Sequence, residues 1–96
     1  MDVVLSKTLQ ALSDPTRRQI LGMLRKGELN AGEIGAAFQI SAPSISHHLN
    51  VLKNAELVQA QRKGQTIIYS LNESVVQELL KELFDLFNIG EENREE

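Results

Sequence analysis

A mainly helical fold carrying one small β-hairpin is predicted for this chain of 96 residues, and three observations predict it. Apolar residues recur at three- and four-residue spacing through most of the chain, the mark of amphipathic helices. The period drops to two only across VQAQRKGQTIIYSL, as in a pair of half-buried strands. Residues that cap, start or stop helices stand at the joins between these segments.

The first helix is expected in DVVLSKTLQALS, where Val4, Leu5, Thr8, Leu9 and Leu12 follow helical spacing. A restart follows in SDPTRRQILGMLRKG: Asp14 can accept from the free amides of a second helix, and Pro15 sits in its first turn, where a missing N–H is harmless. Ile20, Leu21 and Leu24 supply its buried stripe, and Gly27 is the expected left-handed stop.

Asn30 followed by Glu33 has capping-box spacing and opens a short third helix through Ile34, Ala37 and Phe38. Gly35 within it implies close packing or a weak helix. After a turn at Gln39 and Ile40, Ser41 caps a longer fourth helix with Pro43 in its first turn. A short helix, a turn of about three residues and a longer helix make the helix-turn-helix pattern.

In the hairpin, Ile67, Tyr69 and Leu71 fall on one face and Thr66, Ile68 and Ser70 on the other, with Lys63 and Gly64 at the tip. Asn72 then caps a last helix carrying Val75, Val76, Leu79, Leu80, Leu83, Phe84, Leu86, Phe87 and Ile89. That stripe is wider than one small domain needs to bury. The whole is expected as one domain over residues 1–90 with an acidic tail over 91–96.

Charge is unevenly distributed. Residues 1–72 hold eight Lys or Arg against five Asp or Glu, whereas residues 73–96 hold two against eight. The net charge of −3 therefore hides a basic body and an acidic C-terminal segment, and the local field decides where an anion docks. With no cysteine, disulfides and thiolate metal sites are excluded. No secretory signal is visible and no apolar run approaches the roughly 20 residues that cross a bilayer. A soluble, cytoplasmic protein is expected.

The stretch SAPSISHHL, residues 41–49, concentrates serines and two histidines. At 100° per residue, Ile45, Leu49 and Leu52 define the buried side of the helix; His47 points directly away from it, with Pro43 and Asn50 close by and Ser44 and Ser46 on its flanks. His48 falls at the core boundary. The histidines diverge, so one metal ion is not expected to bind both. A serine nucleophile would need an orienting carboxylate and an oxyanion hole, and neither accompanies it, so no enzyme is expected. An exposed face of hydroxyls, imidazole and amide on the second helix of a helix-turn-helix suits the major groove. Arg62 and Lys63 beside Gly64 make a basic tip that looks like a wing reaching phosphate or the minor groove. The element order, four helices, hairpin, helix, is that of a winged helix-turn-helix protein with flanking dimerisation helices.

LSDPTRRQIL, SAPSISHHLNVLKNAELV and RKGQTIIYSLN resemble the ArsR/SmtB family of bacterial repressors, and within it an SdpR-like autorepressor branch, from about Leu9 to Leu83. The resemblance implies a homodimer built from the first and last helices, with Val4, Leu5, Leu9, Val76, Leu79, Leu80, Leu83, Phe84 and Phe87 as the candidate dimer residues. It implies a recognition helix from about Ala42 to Lys53, with Ala42, Ser44, Ser46 and His47 meeting double-stranded DNA and Pro43 and Asn50 on the same face. It further implies a wing bearing Arg62, Lys63 and Gln65. Arg17 and Arg18, in DPTRR, are candidate phosphate contacts, with solvated or intramolecular pairing the competing role. Metal-sensing members carry a cysteine pair where this chain has Asn30 and Gly32, and the last helix contains no histidine; no cofactor or regulatory metal is expected. Glu78, Glu82 and Asp85 are expected to be a solvated face. Many members have Gly where Glu56 stands, so the end of the recognition helix is expected to take a different shape. A protein-interaction module without specific DNA binding is the alternative function, and a small-molecule or protein effector, including a membrane-bound antagonist, remains open.

Overall fold

The computed structural model describes residues 3–88. Ile89, Gly90 and the expected tail over residues 91–96 lie outside the described residues. Five helices and three strands run in the order α1 (Val3–Ala11), α2 (Pro15–Leu24), β1 (Leu29–Asn30), α3 (Ala31–Gly35), α4 (Ala42–Asn54), β2 (Val58–Lys63), β3 (Thr66–Leu71) and α5 (Glu73–Phe87). The helices and hairpin stand where periodicity places them. The short strand β1 is an addition: two residues are too few to show a period, and they pair only because the hairpin offers an edge.

The sheet is antiparallel in the order β1-β3-β2, with Leu29 opposite Tyr69 and Asn30 opposite Ile68. Strand β3 is therefore central, which explains why Ile68 through Leu71 are all half-buried instead of alternating. The hairpin register pairs Lys63 with Thr66, so Gly64 and Gln65 form the tip and Lys63 belongs to β2. Gly64 takes φ 67°, the positive value that a two-residue hairpin turn demands and that glycine adopts without strain.

Local chemistry sets the helix ends. The Asp14 carboxylate accepts from the Arg17 amide at 3.0 Å, with Pro15 opening α2. Asn30 and Glu33 close a reciprocal capping box on α3, at 2.8 Å in each direction. Helix α3 stops at Gly35, short of the expected Ala37 and Phe38. The amides of Ala37 and Phe38 bond to the carbonyls of Ile34 and Gly35, three residues back, so the last turn tightens and the connection to α4 spans residues 36–41. A Cβ at Gly35 would meet Ile45 Cγ1 at 3.7 Å, ordinary contact. Low helix propensity, not crowding, is what Gly35 contributes here.

The end of α4 corrects the expectation at Glu56. Glu56 adopts φ 63°, its amide bonds to the Lys53 carbonyl at 2.9 Å, and the Leu57 amide reaches back to the Leu52 carbonyl at 3.1 Å. These two bonds form a Schellman stop, usually built on glycine. Leu52 and Leu57, both fully buried, supply its hydrophobic contact, and that contact holds a glutamate in a left-handed conformation. Asn72 occupies the N-cap position of α5 without a side-chain bond to the helix amides; its Oδ1 accepts from the Ser74 hydroxyl. Asn88, at φ 61°, takes the left-handed stop of α5.

The core gathers one stripe from each helix: Leu5 and Ala11, Ile20 and Leu24, Ile34, then Ile45, Leu49 and Leu52, closed by Leu57, Val58 and Leu79. Burying each of the larger side chains contributes roughly 1.5–3 kcal/mol. Helix α4 is thereby anchored along one entire side, leaving the other side free.

Candidate nucleic-acid interface

Ser41 caps α4, its hydroxyl accepting from the Ser44 amide at 3.2 Å and donating to the Ser44 hydroxyl at 3.1 Å. Pro43 lies in the first turn. With Ile45, Leu49 and Leu52 buried, the opposite side exposes Pro43, Ser46, His47 and Asn50, while Ala42 is exposed at the start of the helix and Ser44 is half-buried. The structure thus brings four of the six expected recognition positions onto one open face, with Ala42 exposed at the helix start and Ser44 partly engaged in the cap.

Arg62 and Lys63, at the end of β2, and Gln65, in the turn, are exposed. Arg62 Nη1 donates to the Gly64 carbonyl at 3.5 Å, which folds the guanidinium back over the turn. Lys63 Nζ lies 3.7 Å from Glu28 Oε1, an ion pair that sequence reasoning missed because it depends on β1 docking beside the hairpin. Both partners are about half exposed, so the pair is weak and open to competition from another anion.

The two arginines of DPTRR separate. Arg18 is exposed and donates to the Leu12 carbonyl at 2.7 Å. Arg17 is only 9% exposed, and every nitrogen of its guanidinium is engaged: Nε with the Ala11 carbonyl at 2.8 Å, Nη2 with the Gln10 carbonyl at 3.3 Å, and Nη1 with His48 Nδ1 at 3.2 Å. Of the two candidate roles for Arg17, the structure displays intramolecular pairing. A signal was present in the sequence: Arg17 precedes Ile20, Leu21 and Leu24 by three, four and seven residues, which places it on the buried stripe of α2.

His48 sits at the core boundary, as the helical angles place it, with its ring centroid 5.8 Å from that of the outward His47. Asp14 Oδ2 lies 3.8 Å from His48 Nδ1, too far for a hydrogen bond. The Asp14 carboxyl is held below its ordinary pKa, first by the Arg17 backbone N–H and secondarily by His48 and Arg17, against an opposing desolvation.

The candidate dimer residues divide as well. Leu5 and Leu79 are buried within the protomer core, and Val76 and Leu83 are half-buried against it. Val4, Leu9, Leu80, Phe84 and Phe87 are exposed, Phe87 at 65%. Leu5 and Leu79 therefore hold α1 and α5 to their own chain, since an inward position at this spacing closes the core first. Glu78, Glu82 and Asp85 are all exposed on α5, where Asp85 accepts from Lys81 at 3.5 Å. Among the described residues no group of three or more His, Asp or Glu could hold a metal ion, and no helix is long and apolar enough to cross a membrane.

The family described as bacterial regulatory protein, arsR family, matches residues 14–60, from the cap of α2 into β2. The chain is 48% identical to the transcriptional repressor SdpR of Bacillus subtilis (strain 168) over 87 residues, covering 91% of this chain and 97% of that protein. Among solved structures it is similar to an ArsR-like transcriptional regulator from Rhodococcus sp. RHA1, with a TM-score of 0.82 and 27% identity over 96% of this chain and 85% of that one. It is also similar to a homodimeric winged helix-turn-helix DNA-binding domain from Mycobacterium bovis, with a TM-score of 0.72 and 27% identity over 86% of this chain and 78% of that one.

Proposed function

Because the chain belongs to the arsR family of bacterial regulatory proteins, we propose that it is a cytoplasmic transcriptional repressor that binds DNA as a homodimer, its own promoter among its targets. The observation that carries this reading is the open face of α4, where Ser46, His47 and Asn50 project from a helix whose other side is locked into the core. Hydroxyl, imidazole and amide groups in that position can bond base edges in the major groove. Arg62 and Lys63 on the wing add sequence-independent attraction to phosphate.

Pairing two copies through the exposed residues of α1 and α5 places two recognition helices about a twofold axis. A twofold dimer reads an inverted repeat whose half-sites lie about one helical turn apart. Repression follows when the bound dimer excludes polymerase. The acidic face of α5, with Glu78, Glu82 and Asp85, is turned away from the duplex in this arrangement, which removes the repulsion that the net charge would otherwise impose.

Fluorescence anisotropy on duplex from the gene's own upstream region, against scrambled duplex across a salt series, tests the proposal. A preference of about a hundredfold or more, on the scale of specific sites, is expected. Equally weak binding to both would favour a protein-docking module instead. Within the site, His47→Ala is expected to relax sequence preference, whereas Lys63→Ala is expected to weaken all duplexes alike and lower the salt slope by about one.

A further inference from the structure

The Arg17 guanidinium touches three things that no neighbouring residue brings together: the last two carbonyls of α1, at Gln10 and Ala11, and the inner edge of α4, at His48. Helix-terminal carbonyls lack intrahelical partners and are natural acceptors for a cation. His48 in turn packs its ring beside that of His47. A line of contacts thus runs from the end of α1 through a buried guanidinium to His48, whose ring lies beside that of His47 on the open face of α4.

We propose that Arg17 and His48 are positioning residues for DNA reading: they set the pitch of α4 against α1, and so the angle at which His47 and its neighbours meet the bases. This rests on the DNA-binding function proposed above. The chemistry of the contact is restrictive. A guanidinium can only donate, so a neutral His48 offers Nδ1 as the acceptor and carries its ring proton on Nε2. Asp14, at 3.8 Å, is too distant to claim Nδ1 in competition. The ring is consequently held in one tautomer and one orientation, and the strut joins the end of α1 to the middle of α4.

The test uses the full chain and a duplex that the wild-type protein selects from a random pool, with a scrambled duplex of the same length as control. His48→Leu keeps the bulk of the side chain and removes the acceptor; His48→Asn returns an acceptor close to the position of Nδ1. His48→Leu is expected to lose about ten-fold on the selected duplex, the size of one mismatched base pair, and less than about two-fold on the scrambled one, where phosphate contacts dominate. His48→Asn is expected to recover most of the loss. Arg17→Gln placed in the His48→Leu background is expected to remove no further preference, as for residues acting as a unit. Nitrogen-15 spectra of the free wild-type protein are expected to place the ring proton on Nε2. A His48→Leu protein that keeps its preference, or loses equally on both duplexes, would overturn the positioning role, as would a proton on Nδ1. A wild-type protein that selects no duplex at all would defeat the DNA-reading function itself, and the two failures are thereby distinct.

Discussion

Arg17 Nη1 lies 3.2 Å from His48 Nδ1, joining the first turn of α2 to the middle of α4 across 31 positions of sequence. The other two nitrogens of the same guanidinium hold the carbonyls that end α1. Replacing Arg17 by Met removes the guanidinium donor from the Ala11 carbonyl and from His48 Nδ1 in a largely buried site, whereas the Gln10 carbonyl keeps the Ser13 amide and hydroxyl. Unpaired buried polar groups cost about 1–3 kcal/mol, so urea denaturation at fixed protein concentration should show a loss of that size. Arg18→Met, at an exposed position, should stay within about 0.5 kcal/mol of wild type. Equal effects at the two sites would contradict the buried strut.

Glu56 is held at φ 63° by the Leu52 and Leu57 contacts on either side of it. A left-handed conformation costs a non-glycine residue roughly 1–2 kcal/mol. Glu56→Gly should therefore raise stability by about 1 kcal/mol, or roughly 4–8 °C in melting temperature for a domain of this size. Glu56→Val should lower it, because a β-branched residue tolerates this conformation least. Melting both variants at one protein concentration checks the pair.

Glu28 engages Lys63 at 3.7 Å, so a carboxylate stands beside a lysine proposed to contact phosphate. Glu28→Gln should tighten binding to specific and scrambled duplexes alike, by several-fold at low salt, and the gain should fade as screening shortens the reach of the field. Combined with Lys63→Ala, the Glu28 substitution should have little left to release. Anisotropy titrations across a salt series provide the measurement.

Asp14 accepts from the Arg17 amide when ionised, and its carboxyl is held below the ordinary aspartate value of roughly 3.9. A depressed native pKa contributes stability above the unfolded value and loses it as pH falls through the native one. Acid titration of the wild type should therefore show a decline beginning below about pH 4 to which Asp14 contributes. Asp14→Asn keeps a capping oxygen and should flatten that limb. An unchanged acid limb in the variant would remove Asp14 from the account.

Phe84, Leu80 and Phe87 are exposed on α5, whereas Leu79 is buried. Phe84→Asp should shift sedimentation toward monomer while leaving the far-ultraviolet spectrum intact. Leu79→Ala should instead destabilise the protomer, by about 2 kcal/mol or more. A Phe84→Asp protein that sediments like the wild type would place the dimer contact elsewhere.

Much of this architecture was legible because short-range rules govern it. Asp14 with Pro15, Asn30 with Glu33, and Ser41 with Pro43 state where three helices begin, and the spacing of Ile45, Leu49 and Leu52 states which side of α4 is buried. The exposed direction of His47 follows from the same arithmetic. What escaped was set by partners distant in sequence. Leu29 and Asn30 form a strand only because β3 presents an edge to them. Glu56 takes a left-handed conformation only because Leu57 has a core to enter.

By itself, then, the sequence determined the order of elements, the orientation of α4 about its own axis and the basic character of the wing, since each depends on residues within a few positions of one another. Only the tertiary structure decided which dimer candidates are consumed by the protomer core, that Lys63 faces Glu28, and that Arg17 turns inward to His48. Those outcomes depend on which surfaces meet when the helices pack. A side chain's partner across 31 residues is a property of that meeting, and no local period encodes it.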